Sequence, residues 1–295
     1  MEHAHAVLHC NLNTVDATAA ESFYSRLGLR SRMTNRTDDT DARPMGLGSS
    51  TASFTTFLYD SRGPRSAPAL ELVEWLRPVT ADRSAPAWTT TGIRGIGLRV
   101  STLSGLSGLS GPTGTAWVQG IERPSRVEAD VDDVVVEIVE LAGPETSEDA
   151  CLSHLRLAAR DLQATAEWYA AIGFVDVSRS PERLSLLLPE DPTFSLEIEA
   201  DPAAEHGDAV ANTRGLFRIA LAVEDVASAH AALEAQGLEV PAPVFIPMAD
   251  TPTGGFTVLF LADPDGIVVE LVDRPRSSVR RPAAPSALVE VGGPA

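Results

Sequence analysis

The feature that most constrains the fold of this chain is an internal repeat in which equivalent residues lie 145 positions apart. Residues 9–16 read His-Cys-Asn-Leu-Asn-Thr-Val-Asp, and residues 154–161 read His-Leu-Arg-Leu-Ala-Ala-Arg-Asp. An aromatic pair follows each segment, Phe-Tyr at 23–24 and Trp-Tyr at 168–169, and then a glycine between two apolar residues. Self-similarity at a fixed interval indicates a repeated structural unit.

A second motif, a glutamate between two apolar residues, occurs four times along the chain. Alternate side chains of a strand point to opposite faces, so each glutamate leaves the apolar face of its strand. A carboxylate without compensation is costly to bury, and the sequence therefore predicts a shared cavity that solvates or neutralises these groups. The alternative interpretation is a solvated inner sheet face. The four glutamates are Glu71, Glu137, Glu197 and Glu270.

Each half of the chain predicts two units of one strand, one helix and three strands, which we write βαβββ. Asp16 and Asp161 are predicted helix N-caps, and a glycine ends each helix. The second units begin near Gly95 and Arg218. Between residues 101 and 114, glycine and serine recur at nearly every turn and disfavour a helix, so this unit is predicted to be eroded.

These patterns predict an α+β fold of two tandem domains, each a pair of βαβββ units that form a cup-shaped mixed sheet with helices on the outside. The first domain spans residues 1–142 and the second spans residues 151–274. A polar linker, residues 143–150, joins them, and a Pro/Arg-rich tail follows at residues 275–295.

Charge and composition restrict the partners that the chain is expected to have. The formal net charge is -18 and lysine is absent, so the long-range field repels nucleic acid and is better suited to a cationic ligand. No apolar run approaches the ~18 residues of a membrane span, and no secretory signal is visible. We expect a cytoplasmic monomer or homodimer that binds a small molecule, with Cys10 and Cys151 unpaired.

The histidine strands, the aromatic pairs, the Asp-Pro-Asp-Gly turn at 263–266 and the four glutamate strands together resemble the vicinal oxygen chelate superfamily. This superfamily includes glyoxalase I, extradiol dioxygenases and bleomycin-binding proteins. The resemblance covers about residues 6–142 and 151–274. It implies that two βαβββ units form a cup in which a divalent metal is bound by the first and last strands of the paired units.

Carried onto the first domain, the resemblance implies a metal site of His9, Glu71 and Glu137, with Gly95 where a second histidine is expected. Zn, Mn, Ni or Mg would be held in this domain only, and Glu71 and Glu137 would be the catalytic carboxylates that move a proton. Neither half keeps two histidines at family positions, which disfavours extradiol dioxygenase chemistry. The alternative for each strand histidine is a structural hydrogen bond to its neighbours.

In the second domain, the resemblance places Arg218 where another histidine is expected. A guanidinium neutralises a nearby glutamate and repels a cation, so this domain is expected to be metal-free. Such a cup could bind an anionic or aromatic ligand, or it could be a structural partner whose pocket is filled. Its substrate-binding residues would be His154, Glu197, Arg218 and Glu270.

Three functions remain open from the sequence. The first is a glyoxalase-like enzyme that uses a divalent metal for lyase or isomerase chemistry on a small molecule. The second is a metal-free protein that binds a drug or metabolite, as bleomycin-resistance proteins do. The third is an assembly scaffold in which both cups are closed.

Overall fold

The computed structural model describes residues 4–106, 109–141, 150–207, 210–238, 240–248 and 253–283. Most of the predicted linker lies outside these ranges, as does the predicted tail from residue 284 onward.

The described residues form four consecutive units, and three of them contain an α-helix. The first unit contains β1 (Ala6–Thr14), α1 (Ala17–Arg26), β2 (Arg30–Thr40), β3 (Thr51–Tyr59) and β4 (Ala69–Arg77). The second contains β5 (Gly92–Val100), β6 (Thr113–Val118), β7 (Ile121–Ala129) and β8 (Val135–Glu140). The third contains β9 (Cys151–Ala159), α2 (Leu162–Ala171), β10 (Val175–Arg179), β11 (Arg183–Leu188) and β12 (Asp191–Ala200). The fourth contains β13 (Gly215–Val223), α3 (Val226–Ala235), β14 (Val244–Pro247), β15 (Gly255–Ala262) and β16 (Val268–Asp273).

Aspartate caps start all three helices, as the sequence predicts for Asp16 and Asp161. The carboxylates of Asp16, Asp161 and Asp225 each accept a hydrogen bond from a backbone N–H in the first helical turn. In the second unit, the described part of the segment between β5 and β6 holds only a short 3-10 turn, Leu103–Gly105. The glycine- and serine-rich sequence accounts for this loss of the helix. No helix in the described ranges is long and apolar enough to cross a bilayer.

The strands form two eight-stranded mixed sheets with the helices packed on one face of each sheet, which confirms the predicted fold class. The first sheet has the order β14-β15-β16-β13-β1-β4-β3-β2, and the second has the order β10-β11-β12-β9-β5-β8-β7-β6. Within each unit the first and last strands are parallel, and antiparallel pairs β1–β13 and β5–β9 join the units. The first unit therefore pairs with the fourth, and the second pairs with the third.

This pairing means that residues 1–142 and residues 151–274 each contribute one unit to each sheet. We call the concave side of the first-and-fourth-unit sheet the first cup, and that of the second-and-third-unit sheet the second cup. The sequence repeat identifies the units, but it does not determine which first strands become neighbours. One apolar core lies behind both sheets and includes Leu12 and Leu72 from the first sheet and Ile96 and Leu155 from the second.

Two buried tyrosine–aspartate contacts join consecutive units back to back. The hydroxyl of Tyr24 on α1 donates to Asp130 Oδ2 at 2.7 Å, and that of Tyr169 on α2 donates to Asp263 Oδ2 at 3.3 Å. Asp130 and Asp263 lie in the turns before β8 and β16. Burial raises the pKa of Asp263 to about 6, against the lowering effect of hydrogen bonds from the backbone of Ile267 and Asp265. These carboxyls are stabilised by their tyrosines in an apolar setting.

Replacing Tyr24→Phe removes one donor from the buried Asp130 and leaves the ring in place. We expect a loss of about 1–3 kcal/mol in the free energy of unfolding, measured by urea denaturation at neutral pH. Tyr59→Phe is the matched control, because the Tyr59 hydroxyl donates no hydrogen bond to a described residue. Equal losses in the two variants would contradict this role for the Tyr24–Asp130 contact.

Candidate functional site

The first cup encloses a cavity of about 460 Å³. Met33 on β2 and Ile246 on β14 both line it, although these strands are the opposite edges of the sheet. The sheet is therefore curled enough for its two edges to face each other across one space. Aromatic and sulfur-containing side chains make up much of the wall: Met33, Met45, Phe57, Trp75, Met248 and Phe256.

Strand alternation directs the polar residues of the central strands into this cavity. On β1, Cys10 and Leu12 are buried in the core, while His9 points to the cup. On β4, Leu70 and Leu72 likewise flank Glu71. The same alternation on β13 and β16 turns two more polar side chains, Arg218 and Glu270, into the cup.

These four residues form a compact cluster, which we call the Arg218 cluster: His9, Glu71, Arg218 and Glu270. Arg218 Nη2 donates to Glu71 Oε2 at 2.8 Å, and Arg218 Nε donates to Glu270 Oε2 at 3.0 Å. His9 Nε2 lies 3.4 Å and 3.6 Å from the same two oxygens. A single guanidinium thus bridges two carboxylates that come from opposite halves of the chain.

Charge pairing outweighs burial in this cluster. Desolvation by burial alone raises the pKa of Glu270, but the charge of Arg218 and the contacts with His9 bring this pKa below its ordinary value. Desolvation likewise lowers the pKa of Arg218, and the charges of Glu71 and Glu270 raise it overall. The cluster is therefore ionised at neutral pH, with Arg218 positive and Glu270 negative.

The residues of the first cup do not fit a divalent metal in the position that the family resemblance implies. The two carboxylate oxygens that face His9 already accept hydrogen bonds from Arg218, whose charge repels a cation at this distance. Within the described ranges, no group of three or more His, Cys, Asp or Glu side chains has an arrangement that could hold a metal ion. Glu137, the third predicted ligand, lies on β8 of the other sheet and does not approach His9 or Glu71.

In the second cup, Glu137 pairs with two cationic or polar partners on β9. Its Oε2 lies 2.8 Å from His154 Nε2 and accepts hydrogen bonds from Arg156 Nε and Nη2 at 2.9 and 2.5 Å. Ser153 Oγ lies 2.7 Å from His154 Nδ1. Burial raises the pKa of Glu137, and these contacts with His154 and Arg156 outweigh burial and lower it. His154 thus has protein partners on both ring nitrogens.

Glu197 in the second cup is also satisfied by the protein. It accepts hydrogen bonds from Ser195 Oγ at 2.5 Å, from Ser185 Oγ, and from the backbone N–H of Gln119 at 3.0 Å. Gln119 lies in the turn between β6 and β7, so this hairpin reaches across to the opposite part of the sheet. Glu197 and His154 are both fully buried. The second cup is therefore closed by its own side chains around these two predicted site residues.

The predicted substrate-binding set is accordingly divided between the two cups. Arg218 and Glu270 face the open first cup, while His154 and Glu197 lie in the closed second cup. The predicted catalytic pair is divided as well, since Glu71 lies in the first cup and Glu137 in the second.

Sequence reasoning missed two residues that determine the second cup. Arg156 lies two positions after His154, and strand alternation alone places both on one face. Gly97 is required because a Cβ atom at this position would lie 2.0 Å from His154 Cε1. The ring of His154 occupies the space that a side chain on β5 would fill.

Comparisons with known proteins agree with this architecture. Residues 152–271 match the family model of the Glyoxalase/Bleomycin resistance protein/Dioxygenase superfamily. A variant of glyoxalase I from Zea mays is 18% identical, covers 90% of this chain and 92% of its own, and superposes with a TM-score of 0.70. A putative dioxygenase from Bacillus subtilis subsp. subtilis str. 168 is 13% identical, and the match covers 96% of this chain and 93% of the dioxygenase chain. It superposes with a TM-score of 0.68.

A comparison with curated protein sequences gave no match. The family match and the two structural neighbours confirm the resemblance to the vicinal oxygen chelate superfamily. At these sequence identities the solved structures define the fold only, and the chemistry has to be inferred from the residues of the cup.

Arg218→Met would leave two carboxylates buried without their cation. We expect a loss of about 3–5 kcal/mol in the free energy of unfolding near neutral pH. In the wild type the pKa of Glu270 is lowered, so its contribution to stability is present above the pKa of the unfolded chain and is lost as pH falls through the folded value. In Arg218→Met, burial should raise the pKa of Glu270. The difference in the free energy of unfolding between the variant and the wild type should therefore become smaller as the pH falls.

The matched control is the triple variant Arg218→Met/Glu71→Gln/Glu270→Gln, which removes the buried charges together. Denaturation at several pH values should show that the triple variant recovers much of the loss and no longer depends on pH in this way. If Arg218→Met alone were as stable as the wild type, the assignment of Arg218 as the cation that holds the cluster would be contradicted.

Proposed function

We propose that this chain captures a small organic molecule, a metabolite or a drug, in the first cup without a divalent metal ion. The observation that carries the proposal is the Arg218 guanidinium, which bridges Glu71 and Glu270 beside His9. This guanidinium supplies the positive charge that the carboxylates need. The space above the cluster stays free for an organic ligand.

The size and lining of the cavity support this proposal. Small-molecule sites in proteins commonly enclose ~300–1,000 Å³ and combine apolar walls with a few polar groups that orient the ligand. The first cup falls in that range and has aromatic and methionine walls. Methionine side chains adapt to ligands of irregular shape. The His9 side chain lines the same wall, with its Nε2 facing the carboxylates of Glu71 and Glu270.

Metal-assisted lyase or isomerase chemistry is the competing proposal. It needs a divalent ion beside His9, and binding such an ion there would require Arg218 to leave both carboxylates. Breaking two charge-assisted hydrogen bonds of a buried arginine is costly. A scaffold with two closed cups is a weaker proposal, because only the second cup is filled by its own side chains around the predicted residues.

The proposal predicts that a neutral apolar dye binds in the first cup. N-phenyl-1-naphthylamine should gain fluorescence on titration with the protein, and EDTA should leave its affinity unchanged. Thr37→Trp places a large ring on the cavity wall and should weaken binding by about tenfold, which corresponds to about 1.4 kcal/mol.

The control variant is Thr115→Trp, which adds the same ring on an exposed position of β6 outside the cavity. It should bind the dye as the wild type does. Absence of dye binding, or binding that EDTA abolishes, would contradict metal-independent capture in this cup.

A further inference from the structure

The charges that line the first cup are opposite in sign to the charge of the whole chain. Three arginines face the cavity, Arg32, Arg218 and Arg274, and its only lining carboxylates within the described ranges are Glu71 and Glu270. Both carboxylates pair with Arg218. The cavity therefore carries an excess of positive charge in a chain whose formal net charge is -18.

Arg32 and Arg274 are the source of this excess. Neither guanidinium forms an ion pair or a hydrogen bond with any residue that the structure describes. Arg274 instead lies over the ring of Phe256, with its Cζ atom 5.6 Å from the ring centroid. This stacking orients the guanidinium along an aromatic wall and leaves its N–H donors unused.

Arg32 and Arg274 are both placed toward the end of the cavity that holds Tyr59. Arg32 falls in a bulge of β2 between Ser31 and Met33, close to the position where Arg30 pairs with Tyr59. The charge of Arg274 lowers the pKa of Tyr59, although burial is the larger effect and raises it overall. The hydroxyl of Tyr59 donates no hydrogen bond within the described ranges. Three unused donor groups therefore share this end.

The opposite end of the cavity combines apolar and hydroxyl side chains and holds no unpaired charge within the described ranges. β3 runs from Thr51 to Tyr59, and Ser53 pairs with Trp75 at the far end. Tyr59 lies six positions after Ser53, which corresponds to about 20 Å along an extended strand. Met45 and Val73 line the cavity near Trp75 and form one apolar cluster with it. The cavity thus has one end with two unpaired guanidinium groups, and an opposite end with an aromatic wall and no unpaired charge within the described ranges.

We propose that the ligand of the first cup is an amphipathic organic anion, whose acidic group binds Arg32 and Arg274 beside Tyr59 and whose apolar body extends toward Trp75. Guanidinium groups match carboxylate, sulfonate and phosphate oxygens in geometry and charge. The inference rests on the proposed function. It departs from the cationic ligand that net charge alone favours, because salt screens distant charges beyond ~8 Å and leaves these two arginines dominant.

Two dyes that share one body test the charge preference separately from cavity binding. 1-Anilinonaphthalene-8-sulfonate carries a sulfonate on the framework of N-phenyl-1-naphthylamine. We expect the wild type to bind the sulfonate dye about tenfold more tightly than the neutral dye. Thr37→Trp should weaken the binding of both dyes, which places them in the first cup.

The double variant Arg32→Gln/Arg274→Gln should lose about tenfold in affinity for the sulfonate dye and retain its affinity for the neutral dye. Its control, Arg36→Gln/Arg43→Gln, removes the same charge from two exposed arginines that pair with Asp38 and Asp41 outside the cavity. This control should bind both dyes as the wild type does.

The outcomes separate the two proposals. Equal affinities for the two dyes, unaffected by Arg32→Gln/Arg274→Gln, would overturn the anionic ligand class and leave cavity binding intact. The same loss in both double variants would also overturn it, because the effect would then come from overall charge. Binding of neither dye would overturn the proposed function itself.

Discussion

The carboxylates of Glu71 and Glu270 face one buried space and require a cation between them. This requirement determines how the polar residues of the first cup are arranged. Glu71 and Glu270 come from strands of different units and meet because β1 pairs with β13. Without a positive charge their repulsion and desolvation would oppose the pairing of the two units. Arg218 provides that charge from within the chain, so the sheet closes without help from a bound ion.

The two cups meet the same requirement through different strands. The strand register makes His9 equivalent to His154, Asn11 to Arg156, and Arg218 to Gly95. In the first cup the arginine lies on β13, and in the second it lies on β9 beside the histidine. The arginine therefore lies on different strands in the two cups, and the cups differ in what they contain. In the second cup, hydrogen bonds between its own side chains fill the space, whereas the first cup keeps a cavity of about 460 Å³.

Local sequence predicts much of the fold, but it does not predict which residues come together in each cup. Asp16 and Asp161 predict their helices, and alternation around Glu71 predicts which side chains leave the core, because both signals act within a few residues. The pairing of units depends on contacts between the first strands of distant units. Those strands look alike in sequence, so the pairing cannot be read from it. The sequence therefore predicts the wrong neighbours for Glu137, and it gives no sign of the ion pair between Arg218 and Glu71.

Arg218 occupies the position that a metal would need, and titration of the chelator-treated protein with NiCl₂ tests this role. The wild type should show no stoichiometric site that depends on His9. The variant Arg218→His replaces the guanidinium with a second imidazole beside His9, Glu71 and Glu270, and it should bind about one ion per chain. One ion per wild-type chain, lost on His9→Ala, would contradict this role of Arg218.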